Sequence, residues 1–173
     1  MIKAKKSLGQ NFLVDKNILK DITELVNIEN KTILEIGPGT GNLTSYILDK
    51  KPKKIYVVEK DNLLVIKLQE KFKNKIIIIN EDILKIDETL LSEEKIIVFG
   101  NLPYNISTEI LSKWILNIKN HFWFEYLILM FQKEVADRII AKPGSKNYGR
   151  ISILTNWLTK SRRLFDISND AFI

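Results

Sequence analysis

The stretch "KTILEIGPGTGNL" at residues 31–43 decides the fold, because it runs from a strand through a glycine loop into a helix. "KTILEI" (31–36) lacks the polar alternation of a half-exposed strand, as expected for a strand buried on both faces. Gly37, Gly39 and Gly41 then let the backbone turn sharply and let a ligand approach without meeting a Cβ. Outward from this stretch the same kind of run recurs at "KIYVVE" (54–59), "KIIIIN" (75–80), "KIIVFG" (95–100) and "YLILMF" (126–131), with "KSRRLFDI" (160–167) as a sixth strand. Helical patterns fall between them at 15–27, 41–50, 61–72, 107–118, 132–141 and 150–158, with Asp15, Asp61 and Ser107 as N-caps. Such alternation predicts an α/β fold, a mostly parallel sheet with helices on both faces.

The chain has 173 residues, of which 45% are hydrophobic, enough for one sizeable core, so one domain is expected over 1–173. Its 27 Lys and Arg against 21 Asp and Glu leave a formal charge of +6, which suits a polyanionic partner without requiring one. With no cysteine, a disulfide framework and a thiolate metal site are excluded. The single His121, in "NHFWFEY", reads as a residue leading into a strand. No apolar run approaches the roughly 20 residues of a membrane span, and "MIKAKKSLGQNF" has no hydrophobic leader segment, so a soluble, cytoplasmic protein without a membrane partner is expected.

The glycine loop departs from the dinucleotide fingerprint G-x-G-x-x-G, since the third glycine comes one residue early and Asn42 occupies the expected position. Pro38 also removes one backbone N–H that a pyrophosphate would use. A ligand without phosphates fits better, and S-adenosylmethionine (SAM) has that character; a tight turn with no ligand is the alternative. Glu59, ending the second strand, is placed to accept from both hydroxyls of a ribose, and Asp82, just past the third, from an adenine amino group.

The fourth strand ends in "FGNLPYNIS" (99–107), so Asn101 to Tyr104 face the same crevice. An exocyclic amine on a nucleobase is a poor nucleophile, because its lone pair is delocalised into the ring. The Asn101 side-chain oxygen and the Leu102 carbonyl can both accept from such an amine and orient its lone pair towards a methyl group. Pro103 holds Leu102 extended and so aims that carbonyl, and Tyr104 offers a face on which a flipped base can stack. This chemistry calls for no metal; a rigid loop with an aromatic plug is the alternative.

The segments "KKSLGQNFLVD", "EIGPGTGNLT", "VVEKD", "EDIL", "FGNLPYNIST", "FQKEVADRI" and "YGRISIL" follow one another along nearly the whole chain. In that combination the chain resembles the KsgA-type small-subunit ribosomal RNA adenine dimethyltransferases. The resemblance implies a Rossmann-like class I SAM-methyltransferase sheet and SAM-dependent dimethylation of N6 on two adjacent adenines near the 3′ end of small-subunit rRNA, with S-adenosylhomocysteine as product. It implies that Asn11, Leu13, Gly37, Glu59, Asp82 and Asn101 contact SAM, with Gly39 and Gly41 completing the loop. Asn101, Leu102 and Tyr104 would hold the base. Related enzymes that methylate a large-subunit adenine share the catalytic loop but more often carry Ile in place of Leu102.

Members of that family continue past a phenylalanine into a proline-rich loop, a last strand and a small helical domain, whereas this chain stops at "NDAFI". The expectation is a catalytic domain lacking that final strand and helical domain. Phe172, matching the family's second base-stacking aromatic, is expected to be disordered. For RNA phosphates the candidates are Lys3, Lys5 and Lys6, then Lys142, Lys146 and Arg150 in the loop with Tyr148, and Arg162 and Arg163. The partner is an immature small ribosomal subunit, met by a monomer. Two other classes remain open: an RNA-binding assembly factor without catalysis, and a nicotinamide-dependent oxidoreductase, which the glycine spacing and Pro38 disfavour.

Overall fold

The computed structural model describes residues 11–118 and 122–173; Lys3, Lys5, Lys6 and His121 lie outside the described residues. Five strands, β1 (Thr32–Ile36), β2 (Lys54–Val58), β3 (Ile77–Ile79), β4 (Ile96–Asn101) and β5 (Phe124–Met130), form one sheet in the order β3-β2-β1-β4-β5. Every pairing is parallel. Among the described residues six α-helices accompany them: α1 (Lys16–Glu24), α2 (Asn42–Asp49), α3 (Asn62–Phe72), α4 (Ser107–Leu116), α5 (Lys133–Ile139) and α6 (Arg150–Leu158). All lie within the helical stretches expected from periodicity.

Alternate strand residues enter two separate cores, which is why the strands show no polar face. Ile33, Val57, Ile97 and Phe99 pack with Leu19, Ile22, Leu43, Ile47, Leu68 and Phe72 of α1, α2 and α3. Leu34, Ile36, Val58 and Val98 point the other way, onto Ile110 and Trp114 of α4. A third cluster joins α4 to α5 and α6 through Leu111, Ile115 and Ile139.

Two helix starts follow the capping expectation. The Asp15 carboxylate accepts from the N–H groups of Asn17 and Ile18 at 2.8 and 3.0 Å, and Asp61 accepts from Leu63 at 3.0 Å. Ser107 does not cap α4: the turn closed by Ile106 N–H on the Pro103 carbonyl makes Ile106 the capping position and Ser107 the first helical residue.

The expected sixth strand is not formed. Residues 160–167 join no ladder; instead Arg163 pairs with Asp137 of α5 at 3.1 Å and with Asp166 at 2.8 Å, local ion pairs that hold this segment against α5. Phe172 is not disordered either. It forms an antiparallel bridge with Leu13, flanked by exchanged hydrogen bonds between Phe12 and Ile173 at 3.0 and 2.9 Å. Backbone pairing of two segments far apart in sequence supplies the order that chain position alone does not.

Candidate active site

The sheet reverses its direction of growth between β1 and β4, and the crevice beyond the strand ends opens at that point. Register decides what meets there: Ile36 is opposite Gly100, so the glycine loop leaves β1 alongside the residue that leads into Asn101. The contact is close enough that a Cβ at Gly37, whose φ is +64°, would stand 3.2 Å from the Asn101 carbonyl oxygen. At Gly39, φ +58°, a Cβ would lie 2.6 Å from the Phe12 ring. These glycines are therefore required by the chain's own packing as well as by any ligand. Gly41 follows as the N-cap of α2.

Residues 11–14 cross this crevice as a strap. The Asn101 amide nitrogen donates to the Asn11 carbonyl, the Asn11 amide donates to the Tyr104 hydroxyl at 3.2 Å, and the Asn42 amide donates to the Leu13 carbonyl at 2.9 Å. The first of these bonds fixes the orientation of the Asn101 carboxamide, leaving its oxygen for another donor. Asn11, Leu13, Gly37, Pro38, Asn42 and Asn101 are among the walls of one small cleft. Leu102 is buried, 1% exposed, so its side chain anchors the Asn101–Tyr104 loop in the core while Pro103 and Tyr104 stay half-buried at the rim. Phe172 lies on the strap's other edge, beside Leu13.

Glu59 is not a wall of that cleft; it sits at the end of β2, on the flank where β3 pairs. Burial raises its carboxyl above the ordinary value, opposed by backbone N–H groups of Asp61, Gly39 and Lys60. The hydrogen bond from Asp61 N–H measures 2.9 Å. Asp82 caps a 3-10 turn, Ile83–Lys85, accepting from Leu84 N–H at 3.1 Å, and its other oxygen meets the Lys60 ammonium at 2.7 Å. Lys60, first, and Leu84 hold its carboxyl below the ordinary value.

The charged loop is placed less tightly. Lys142, Lys146 and Arg150 are exposed and Tyr148 is half-buried, and among the described residues no hydrogen bond joins them to the crevice. Arg162 is likewise exposed, whereas Arg163 is already paired with two aspartates.

Several residues that shape the crevice escaped sequence reasoning. Phe12 props the glycine loop. Glu35, within β1, is fully buried; desolvation raises its carboxyl to about 7 against an ordinary 4.5, and the Thr44 hydroxyl donates to it at 2.6 Å. Lys71 of α3 donates to the carbonyls of Thr40 and Gly41 at 3.1 and 3.0 Å. An acid inside an otherwise apolar strand was the available signal for Glu35; Lys71 looked like any solvent-facing lysine. Among the described residues no group of three or more His, Cys, Asp or Glu side chains could hold a metal ion, and no helix is long and apolar enough to cross a membrane.

The crevice suits a nucleoside-bearing ligand without phosphates: a carboxylate beside the glycine loop, a proline where a further N–H would stand, and amides rather than cations along the cleft. A family model described as "Ribosomal RNA adenine dimethylase" matches residues 1–173. The chain is 62% identical over 171 residues to ribosomal RNA small subunit methyltransferase A of Pelagibacter ubique (strain HTCC1062), covering 99% of this chain and 65% of that protein. It spans just under two thirds of the length of the first curated relatives it matches. Among solved structures, a dimethyladenosine transferase from Plasmodium falciparum superposes with a TM-score of 0.72 at 29% identity, covering 84% of this chain and 52% of that one. The 23S rRNA methyltransferase ErmE gives 0.68 at 26% identity, covering 83% and 56%. The sheet is thus the Rossmann-like one of class I SAM-dependent methyltransferases.

Proposed function

The chain belongs to the ribosomal RNA adenine dimethylase family, and on that footing we propose that it carries the catalytic part of an enzyme dimethylating N6 of two adjacent adenines in small-subunit rRNA. The observation that supports this most is the Asn101 carboxamide, oriented by the Asn11 carbonyl at the point where β1 and β4 diverge.

SAM supplies, when bound, a methyl group on a sulfonium centre and leaves as S-adenosylhomocysteine. Glu59 and Asp82 hold its nucleoside end, and Gly37, Asn11, Leu13 and Asn101 surround the remainder. The chain's own work falls to the catalytic loop. The Asn101 oxygen and the Leu102 carbonyl accept from the adenine N6 amine and direct its lone pair out of the ring plane. Tyr104, held by Asn11, gives the flipped base a face to stack on, and Phe172 lies across the strap as a second aromatic. The same two oxygens offset the positive charge that develops on N6, whose proton then passes to water. Catalysis is mostly positioning.

Lys142, Lys146 and Arg150, with Tyr148 among them, are the contacts for rRNA phosphate, together with Lys3, Lys5 and Lys6; that binding weakens steeply with salt. The setting is the cytoplasm and the partner an immature small ribosomal subunit, engaged by a monomer.

The test is methyl transfer from tritiated SAM to immature small-subunit particles, with large-subunit rRNA as the competing substrate. Asn101→Ala should lower transfer by at least about 100-fold, as loss of a transition-state donor or acceptor does, while calorimetry finds SAM affinity largely kept. Near-normal turnover in that variant, or transfer only to large-subunit RNA, overturns the reading.

A further inference from the structure

We propose that Lys113 and Glu88 form a positioning pair that sets the Asp82 loop against the catalytic loop, and so tunes cofactor affinity from outside the crevice; the inference rests on the functional reading above. Lys113 belongs to α4, the helix that starts three residues after Tyr104. Its ammonium donates to the Ile83 carbonyl at 2.8 Å, to the Ile86 carbonyl, and to both Glu88 oxygens at 2.8 and 3.1 Å. The two carbonyls bracket the 3-10 turn that Asp82 caps. The helix that leaves the Asn101–Tyr104 loop thereby grips, through one side chain, the turn that Asp82 caps.

The other end of the pair is anchored equally firmly. Glu88 also accepts the Trp114 indole N–H at 2.7 Å, and Trp114, fully buried, meets Trp123 edge to face at a centroid distance of 5.9 Å. Exposure is only 20% for the Lys113 side chain and 1% for Glu88. An ion pair so enclosed is a weak device for stability, because desolvation consumes most of its Coulombic gain and an apolar pair of similar volume would serve as well. What an apolar pair cannot do is grip main-chain carbonyls, and two of this lysine's acceptors are carbonyls of the Asp82 loop. Neither residue lines the cleft, so the pair acts through Asp82.

A double-mutant cycle on SAM affinity tests this, using the 173-residue chain, Lys113→Met, Asp82→Asn and the combined variant, by calorimetry with SAM alone. Lys113→Met should weaken SAM binding about tenfold, the loss typical when a supporting partner of a binding group is removed, with kcat at saturating SAM changed much less than KM. In the Asp82→Asn background the same substitution should change affinity by no more than about twofold, because the residue it acts through is already disabled. Lys113→Arg, which keeps the donors, should recover most of the affinity. If Lys113→Met does not fold, Glu88→Gln takes its place in the same cycle with Asp82→Asn, with the same outcomes expected. Losses that multiply independently in the combined variant, or a fall in melting temperature with SAM affinity unchanged, mark a structural brace and overturn the inference alone. A parent chain that binds no SAM overturns the functional reading on which the inference rests.

Discussion

Glu35, beneath the glycine loop, and Glu88, behind the Asp82 loop, are glutamates of nearly equal burial, 2% and 1% exposed, yet their surroundings differ. Glu88 receives an ammonium on both oxygens and an indole N–H as well. Glu35 receives the Thr44 hydroxyl but no ammonium directly; Lys71 acts on it only through space while spending its own donors on Thr40 and Gly41. The difference shows that equal burial can come with very different sets of donors. At Glu35, where no ammonium reaches the carboxyl directly, desolvation dominates and raises it towards its neutral form.

The comparison is broken most forcefully on the paired side. Glu88→Ala leaves the Lys113 ammonium enclosed without its carboxylate, and such one-sided removals cost about 4 kcal/mol. Urea denaturation at neutral pH should show that loss, and a loss below about 1 kcal/mol would mean that water reaches Lys113 freely.

On the unpaired side the effect is pH-linked. Because the folded-state value of Glu35 lies at about 7, above the ordinary 4.5, the folded state holds its proton more tightly than the unfolded. Its contribution to stability is complete below pH 4.5 and is lost as pH rises through about 7. The difference amounts to about 3 kcal/mol at roughly 1.4 kcal/mol per unit. Glu35→Gln, which stays neutral, should flatten that slope, and an unchanged profile would show that the buried carboxyl is not its source.

The smallest effect sharpens the contrast. Thr44→Val removes the hydroxyl that donates to Glu35, costing about 1 kcal/mol, and should displace the titration of Glu35 upward because the Thr44 hydroxyl opposes desolvation. A downward displacement would reverse the assigned roles.

Much of the fold was legible in the sequence for plain reasons. The five strands declared themselves as aliphatic runs, because strands covered on both sides have no solvated face to mark with polar residues. Asp15 and Asp61 announced helix starts by chemistry that acts over two or three residues. The run 160–167 had the composition of a strand, but strand formation needs a neighbouring backbone, and here Arg163 finds Asp137 and Asp166 instead. Phe172 shows the converse: besides a local turn closed on the Asn169 carbonyl, it is held by Leu13, which lies at the other end of the chain.

The candidate site divides in the same way. Gly37, Glu59, Asp82 and Asn101 could each be placed at a strand end from the sequence, because parallel strands deliver their following loops to one edge of the sheet. The strap from Asn11 to Asn101 and Tyr104, the Phe12 ring under Gly39, the Thr44 hydroxyl on Glu35 and the clamp of Lys113 on the Asp82 loop came only from the folded chain. Local backbone preference and hydrophobic pattern act over a few residues, and so the sequence by itself determined the elements and the edge of the sheet at which they meet. Which side chains grip one another across that edge is decided by register and packing between distant segments, such as Asn11 and Tyr104, 93 residues apart, information that exists only once the sheet has closed.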